Sequence, residues 1–188
     1  MGLNTKDGAK QIKHAFEKYK MTDLEEKKIF IVSYDQYDLD DWIIKNCIEV
    51  LDFQQQNIFL SRDGIPQEKM DYVYVTEGNV FQILNYMREN QFIDYIQKLV
   101  LGETKAHYIG SSAGAMLAGK DIYFGLDFDK NEVGIEDFLA LNLFDGTIIP
   151  HYEPENLWMY KSNTEPEILK EYKYIYSVNN EEVFVIDL

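Results

Sequence analysis

Gly110-Ser111-Ser112-Ala113-Gly114 constrains this chain more than any other stretch. The apolar run His107-Tyr108-Ile109 leads into it, and the small, helix-compatible run Ala115-Met116-Leu117-Ala118 leaves it. Strand, sharp turn and helix in that order lift a serine hydroxyl off the end of a sheet and set it at the tip of a helix. The flanking glycines and the small Ala113 suit a centre too crowded for side chains. Backbone N–H groups at the helix start then face the oxygen of any carbonyl that Ser112 attacks. A five-residue pattern of this kind also occurs in unrelated turns, so the surrounding chain has to carry the reading.

The surroundings alternate between two periods. Residues 8–19 predict an amphipathic helix with Ile12, Ala15, Phe16 and Tyr19 on one side. Lys28 to Tyr34 predicts a buried strand. Asp38 to Phe53 predicts a helix whose apolar stripe is Leu39, Trp42, Ile43, Ile44, Cys47, Val50 and Leu51. Asn57–Ser61 and Asp71–Val75 predict two more strands, and Asn79–Glu89 and Phe92–Val100 two helical segments. Strands alternating with helices of this length imply βαβ crossovers, hence an α/β fold of three layers, a mostly parallel sheet flanked by helices. Reactive groups in such sheets gather at the carboxyl ends of the strands. Three segments end there: Val75-Thr76-Glu77-Gly78-Asn79, the Ser112 turn, and Ile148-Ile149-Pro150-His151. The last stretch, Tyr174 to Asp187, predicts two short strands around a turn at Asn179-Asn180.

Composition narrows the function classes. The 188 residues suit one domain, 1–188, with an atypical helical N-terminus over 1–27. A formal net charge of −15 repels nucleic acid and anionic membranes, so neither is an expected partner. No run approaches the roughly 20 apolar residues of a membrane span, and the polar N-terminus lacks a signal-peptide core, which gives a cytoplasmic expectation. Cys47 is the only cysteine, placed on an apolar helix face as a packed thiol. His14, His107 and His151 show no metal-ligand spacing, so no metal and no cofactor are expected.

Ser112 needs a base. His107 sits inside the strand that precedes it and reads as structural, packed against a neighbouring helix. His14 reads as solvated. His151 follows an apolar strand-like run, stiffened by Pro150, and would stand at the same sheet edge as Ser112. There it could take the serine proton and return it to a leaving amine. A loop histidine bonded to a nearby carbonyl is the plainer reading of the same position. A third group should orient the imidazole. Asp121, Asp127, Asp129, Glu153 and Glu155 are all near enough in sequence, and composition does not choose among them. Gly78-Asn79 opens the helix at Val80: Gly78 could offer a bare backbone N–H as an oxyanion donor beside that of Ala113. Asn79 could cap the helix while lining the same site.

Tyr108-Ile109-Gly110-Ser111-Ser112-Ala113-Gly114-Ala115 resembles the nucleophile segment of the peptidase E family, the S51 serine peptidases. That family includes aspartyl dipeptidase and, more distantly, cyanophycinase. Gly78-Asn79-Val80-Phe81-Gln82-Ile83-Leu84 resembles its Gly-Gly-Asn-Thr-Phe-Gln-Leu-Leu segment. Leu141-Asn142-Leu143-Phe144 with Ile149-Pro150-His151-Tyr152 resembles its Leu-x-Leu-Phe and Pro-His segments. The resemblance implies a flavodoxin-like fold related to class I glutamine amidotransferases. It implies Ser112 as nucleophile, His151 as base, Asp127 as third member, and Gly78 and Ala113 as oxyanion donors with Asn79 beside them.

Several positions depart from the family pattern. Members commonly begin with a strand where this chain has a polar helical segment. Thr76-Glu77 stands where glycines precede Gly78, which would put a charge near the oxyanion if Glu77 pointed inward. Asn179-Asn180 stands where some members carry a carboxylate in a loop beside the histidine. The segment Thr164 to Glu171, expected to be helical, carries no arginine to pair with an aspartyl substrate side chain, which argues against that preference. The expected function is hydrolysis of short peptides by a serine peptidase, and the expected partners are the peptide and, as an option, a second copy in a homodimer. Two rivals stand beside it: an α/β-hydrolase esterase, whose chain order Ser, Asp, His is the same, and a catalytically impaired homologue that binds a peptide or partner.

Overall fold

The computed structural model describes residues 2–34, 37–153, 168–180 and 182–187. Four strands form the central sheet: β1 (Ile29–Val32), β2 (Ile58–Leu60), β3 (Tyr72–Val75) and β4 (His107–Gly110). They lie in the order β2-β1-β3-β4, and every pairing is parallel. That is the opening order of a flavodoxin-like sheet. The fold is the mostly parallel, helix-flanked sheet that the sequence predicts.

Alternate residues of each strand feed two cores. Phe30, Val32, Val73 and Val75 face one side and pack with α3 (Val80–Glu89), α4 (Phe92–Leu101) and α5 (Ala113–Leu117). Ile29, Ile31, Tyr72 and Tyr74 face the other and pack with α1 (Lys6–Lys18) and α2 (Tyr37–Glu49). Apolar residues at both parities of β1 and β3 are what a parallel strand covered on both faces requires. The helix expected over 8–19 is observed as α1, Lys6–Lys18, capped by Thr5, whose side chain accepts from the Gly8 N–H at 3.1 Å. Ahead of it, Leu3 is fully buried; its N–H donates to Tyr74 Oη at 2.9 Å and its carbonyl accepts from Asn46 Nδ2 at 2.7 Å.

Four expectations need correction. Trp42 is 56% exposed, with Lys45 Nζ 5.2 Å from its ring centroid, because the inward stripe of α2 runs through Ile43, Asn46 and Cys47. His107 is exposed, and its ring stacks on that of Tyr72 in the neighbouring strand, centroids 5.3 Å apart. The C-terminal region forms no hairpin of two strands among the described residues. Instead β6 (Tyr174–Ser177) pairs in parallel with β5 (Gly146–Ile149) as a separate two-stranded sheet, and 182–187 has no regular structure. Of the expected helix from Thr164 to Glu171, Thr164 to Glu167 lie outside the described residues, and Ile168–Glu171 is a 3-10 turn. Cys47 is buried as expected, its thiol pKa pushed up to about 12 by burial, so it is chemically quiet.

The glycines of the elbow are required by backbone contacts. A Cβ on Gly114 would run into the carbonyl oxygen of Val75, and one on Gly110 into that of Gly114. Gly114 N–H also donates to Thr76 O at 3.1 Å, which holds α5 against the end of β3. Neither clash can be relieved by rotating a side chain. Gly114→Ala is therefore expected to destabilise the fold by about 3–5 kcal/mol, the size reserved for strained or overpacked backbone sites. Urea melts of the variant against wild type check this.

Candidate active site

Ser112 sits between β4 and α5 with φ 51° and ψ −110°, a conformation L residues rarely adopt. Holding a non-glycine residue there costs on the order of 1–3 kcal/mol, and the neighbourhood supplies the restraint. β4 is hydrogen-bonded to β3 up to Ser111 N–H to Val75 O at 3.1 Å. Tyr108 Oη donates to Gly114 O at 2.6 Å and ties strand to helix across the turn.

His151 is presented from the other side. It follows β5, and two backbone bonds fasten its loop to the chain after β6: Val178 N–H to Ile149 O and Tyr152 N–H to Val178 O, each 3.0 Å. The outcome is an Oγ–Nε2 separation of 2.7 Å between Ser112 and His151. The other ring nitrogen, Nδ1, lies 2.5 Å from Asn180 Oδ1. An amide oxygen only accepts, so Nδ1 carries the proton and Nε2 is left free to accept from the serine. Asn180 is positioned in turn by its own N–H, which donates to Glu153 Oε1 at 3.0 Å. Phe128 flanks the imidazole, ring centroids 6.4 Å apart.

The remaining site residues fall as follows. Asp127 ends the 3-10 turn Tyr123–Asp127. Two residues on, Asp129 accepts from Val80 N–H at 2.8 Å. Its pKa is raised, chiefly by burial, against the opposing pull of the Val80 N–H and the nearby His151. Gly78 has φ 143°. Among the described residues neither Gly78 N–H nor Ala113 N–H donates to another backbone group. Asn79 is the N-cap of α3: its Oδ1 accepts from Phe81 and Gln82 N–H, both at 3.1 Å, and its Nδ2 donates to Lys130 O at 2.9 Å. Its side chain serves the helix and the loop carrying Asp129. Glu77 is hydrogen-bonded by the Asn4 side-chain amide, so the N-terminal segment gives its charge a partner. His14, as expected, is solvated, its side chain 83% exposed.

The sequence places Asn180 in a turn and at a departure from the family pattern, with no role beside His151, and leaves Asp129 among several carboxylates. The signal for Asn180 was its place in the loop where some relatives carry an acid. Asp129 carried no signal of its own in a chain with 33 acidic residues. Its raised pKa has a consequence for stability. A carboxyl whose folded pKa lies above its unfolded value stabilises most below the unfolded pKa, and this is lost as pH rises through the folded pKa. Asp129→Asn keeps an acceptor for Val80 N–H and removes the ionisation. The variant is expected to melt above wild type at neutral pH, with the difference vanishing on acidification; thermal melts from pH 3 to 8 read this directly.

A serine hydroxyl bonded to an imidazole at the carboxyl edge of a parallel sheet is the arrangement of nucleophilic hydrolases. Comparison with known proteins agrees with that class. The sequence profile of peptidase family S51 matches residues 9–187, and the chain belongs to that family. An uncharacterized peptidase of Listeria monocytogenes is 35% identical over 125 residues, 63% of this chain and 57% of that protein. Peptidase E of Actinobacillus pleuropneumoniae serotype 5b is 30% identical over 146 residues, 74% of this chain and 57% of that protein. The chain thus matches little more than half the length of these relatives. A crystal structure assigned to peptidase E from Listeria monocytogenes EGD-e superposes with a TM-score of 0.63, covering 93% of this chain and 86% of that one. At 21% identity that likeness bears on the fold. The flavodoxin-like order and the family together remove the α/β-hydrolase alternative. No helix among the described residues is long and apolar enough to cross a membrane, and they hold no cluster of side chains suited to a metal ion.

Proposed function

We propose that this chain is a serine peptidase that hydrolyses short peptides. The observation that carries the reading is the 2.7 Å contact between Ser112 Oγ and His151 Nε2. Ser112 Oγ attacks the scissile carbonyl carbon as its proton passes to His151 Nε2. The Oγ–C bond forms, and the carbonyl oxygen gains negative charge opposite the N–H groups of Gly78 and Ala113. His151 then gives the proton to the leaving nitrogen as the C–N bond breaks. Water repeats the sequence on the acyl-enzyme, losing a proton to His151, and frees the acid and Ser112.

In this reading Asn180 holds the imidazole in the productive tautomer, and the charge of Asp129 favours the imidazolium formed in each half-reaction. Asp127, the carboxylate implied by the family, ends the 3-10 turn one residue before Phe128, whose ring flanks the imidazole. The test is turnover across a library of short peptides, with products identified by mass. Wild type is expected to release cleavage products that Ser112→Ala does not. Wild-type protein that binds library members and raises its melting temperature without ever releasing products would replace the peptidase reading with that of a peptide-binding homologue.

A further inference from the structure

Among the described residues the central sheet ends at β4, with no strand paired to its outer edge. Among the described residues β4 pairs with β3 alone. His107 and Ser111 direct their N–H groups at β3, to Asp71 O and Val75 O. The alternation of a parallel strand therefore turns the backbone N–H and C=O of Tyr108 and Gly110 to the opposite side. That side faces a cavity of about 540 Å³. One wall is the chain from Lys105 to Ser112 and another is the segment from Glu182 to Asp187, with Phe16 of α1 and Phe144 among the apolar groups between. Ser112 and His151 both line it, so the free edge leads to the reactive hydroxyl. From His107 to Ser112 the edge runs ~16 Å at about 3.3 Å per residue, the length of an extended peptide of about five residues.

We infer that this slot binds an extended, apolar stretch of the peptide substrate as an additional strand on β4. The inference rests on the reading of Ser112 as nucleophile and names the substrate class for that site. Main-chain bonds go to Tyr108 and Gly110, and the scissile carbonyl is delivered past Gly110 to Ser112. Strand addition of this kind takes its affinity from the backbone and its selectivity from the side-chain surroundings. Those surroundings are mainly aromatic and aliphatic, with His107 and Asn179 among the polar groups and Glu182 and Asp187 on the tail wall. The cation on the lining is Lys105, whose Nζ donates to Leu101 O at 3.2 Å. With a net charge of −15 on the whole chain, neutral or basic apolar peptides fit and acidic ones are repelled.

The experiment uses the full-length Ser112→Ala protein, which retains the slot without turnover. The probe is a fluorescent, end-blocked hexapeptide of Val, Leu and Phe, followed by anisotropy, with single N-methyl groups placed at each backbone nitrogen in turn. Expected is saturable binding that weakens roughly fivefold to tenfold on methylation of alternate nitrogens, the cost of a lost hydrogen bond, and is unchanged at the nitrogens between. Replacing two residues of the probe by Asp should weaken it further. Absence of binding, or binding indifferent to methylation, overturns the inference, since side-chain recognition alone would give the latter. So does hydrogen exchange showing the Tyr108 and Gly110 amides already protected in the peptide-free protein, which would mean that the tail or a second copy fills the edge. Alternating sensitivity in Ser112→Ala together with no hydrolysis by wild type would uphold the docking slot and reject the nucleophile.

Discussion

Removing the Ser112 hydroxyl should cost peptide hydrolysis ~10⁴–10⁶-fold in kcat, the range seen when a nucleophile is deleted from a working serine site. Ser112→Ala is expected to fall to a residual rate set by the oxyanion donors and substrate binding. His151→Ala should lose a comparable factor, because the hydroxyl is a weak nucleophile without a base 2.7 Å away. Residues that act as one unit are not additive, so the double variant should be no slower than the worse single variant. A multiplicative loss would mean that the two side chains serve separate steps. The same position makes an unusual stability prediction. Ser112 is held at φ 51° and ψ −110°, a strain that glycine would not carry. Ser112→Gly should therefore be inactive and more stable by about 1–2 kcal/mol. For a chain of this length that is a rise of roughly 2–8 °C in Tm.

The next largest effect is expected at Asn180. An amide oxygen 2.5 Å from His151 Nδ1 fixes the tautomer and adds no negative charge. Asn180→Leu removes the acceptor, frees the ring to turn and populate the wrong tautomer, and should lower kcat about 10²–10⁴-fold. Asn180→Asp replaces the neutral acceptor by a carboxylate and should retain activity. A neighbouring negative charge stabilises the imidazolium form of the ring. The base must be neutral to accept the serine proton. The acidic limb of kcat/KM against pH should therefore move to higher pH in Asn180→Asp. A residue that merely packed the loop would leave that limb where it stands in wild type, whatever happened to the melting temperature.

The sequence carried the local parts of this structure and few of the distant ones. β1, β3, α3 and α4 were legible because their apolar residues repeat at the period of the element and are bounded by polar or glycine residues. The elbow was legible because its requirement is steric and falls on neighbouring residues: Gly110 and Gly114 each meet a carbonyl oxygen. The meeting of Ser112 with His151 followed from placing the elbow and the Pro150-His151 segment at one edge. The partner of His151 did not follow, since which group meets Nδ1 depends on the backbone bonds between residues 149–152 and 178. Nor did the pairing of β6 with β5, which joins segments some 28 residues apart, 174 − 146. Trp42 had the right spacing for a buried stripe, and Asn46 took the inward place because it bonds to Leu3 O. In each case the missing information is long-range.

Covalent labelling by a fluorophosphonate tests the central claim most directly, because the reagent requires both a nucleophilic serine and a base to activate it. The folded wild-type protein is predicted to gain one adduct, located on Ser112 by peptide mass mapping, with Ser112→Ala unlabelled and His151→Ala labelled far more slowly. Folded wild type that stays unlabelled beside an active S51 peptidase, or an adduct that survives in Ser112→Ala, would contradict it.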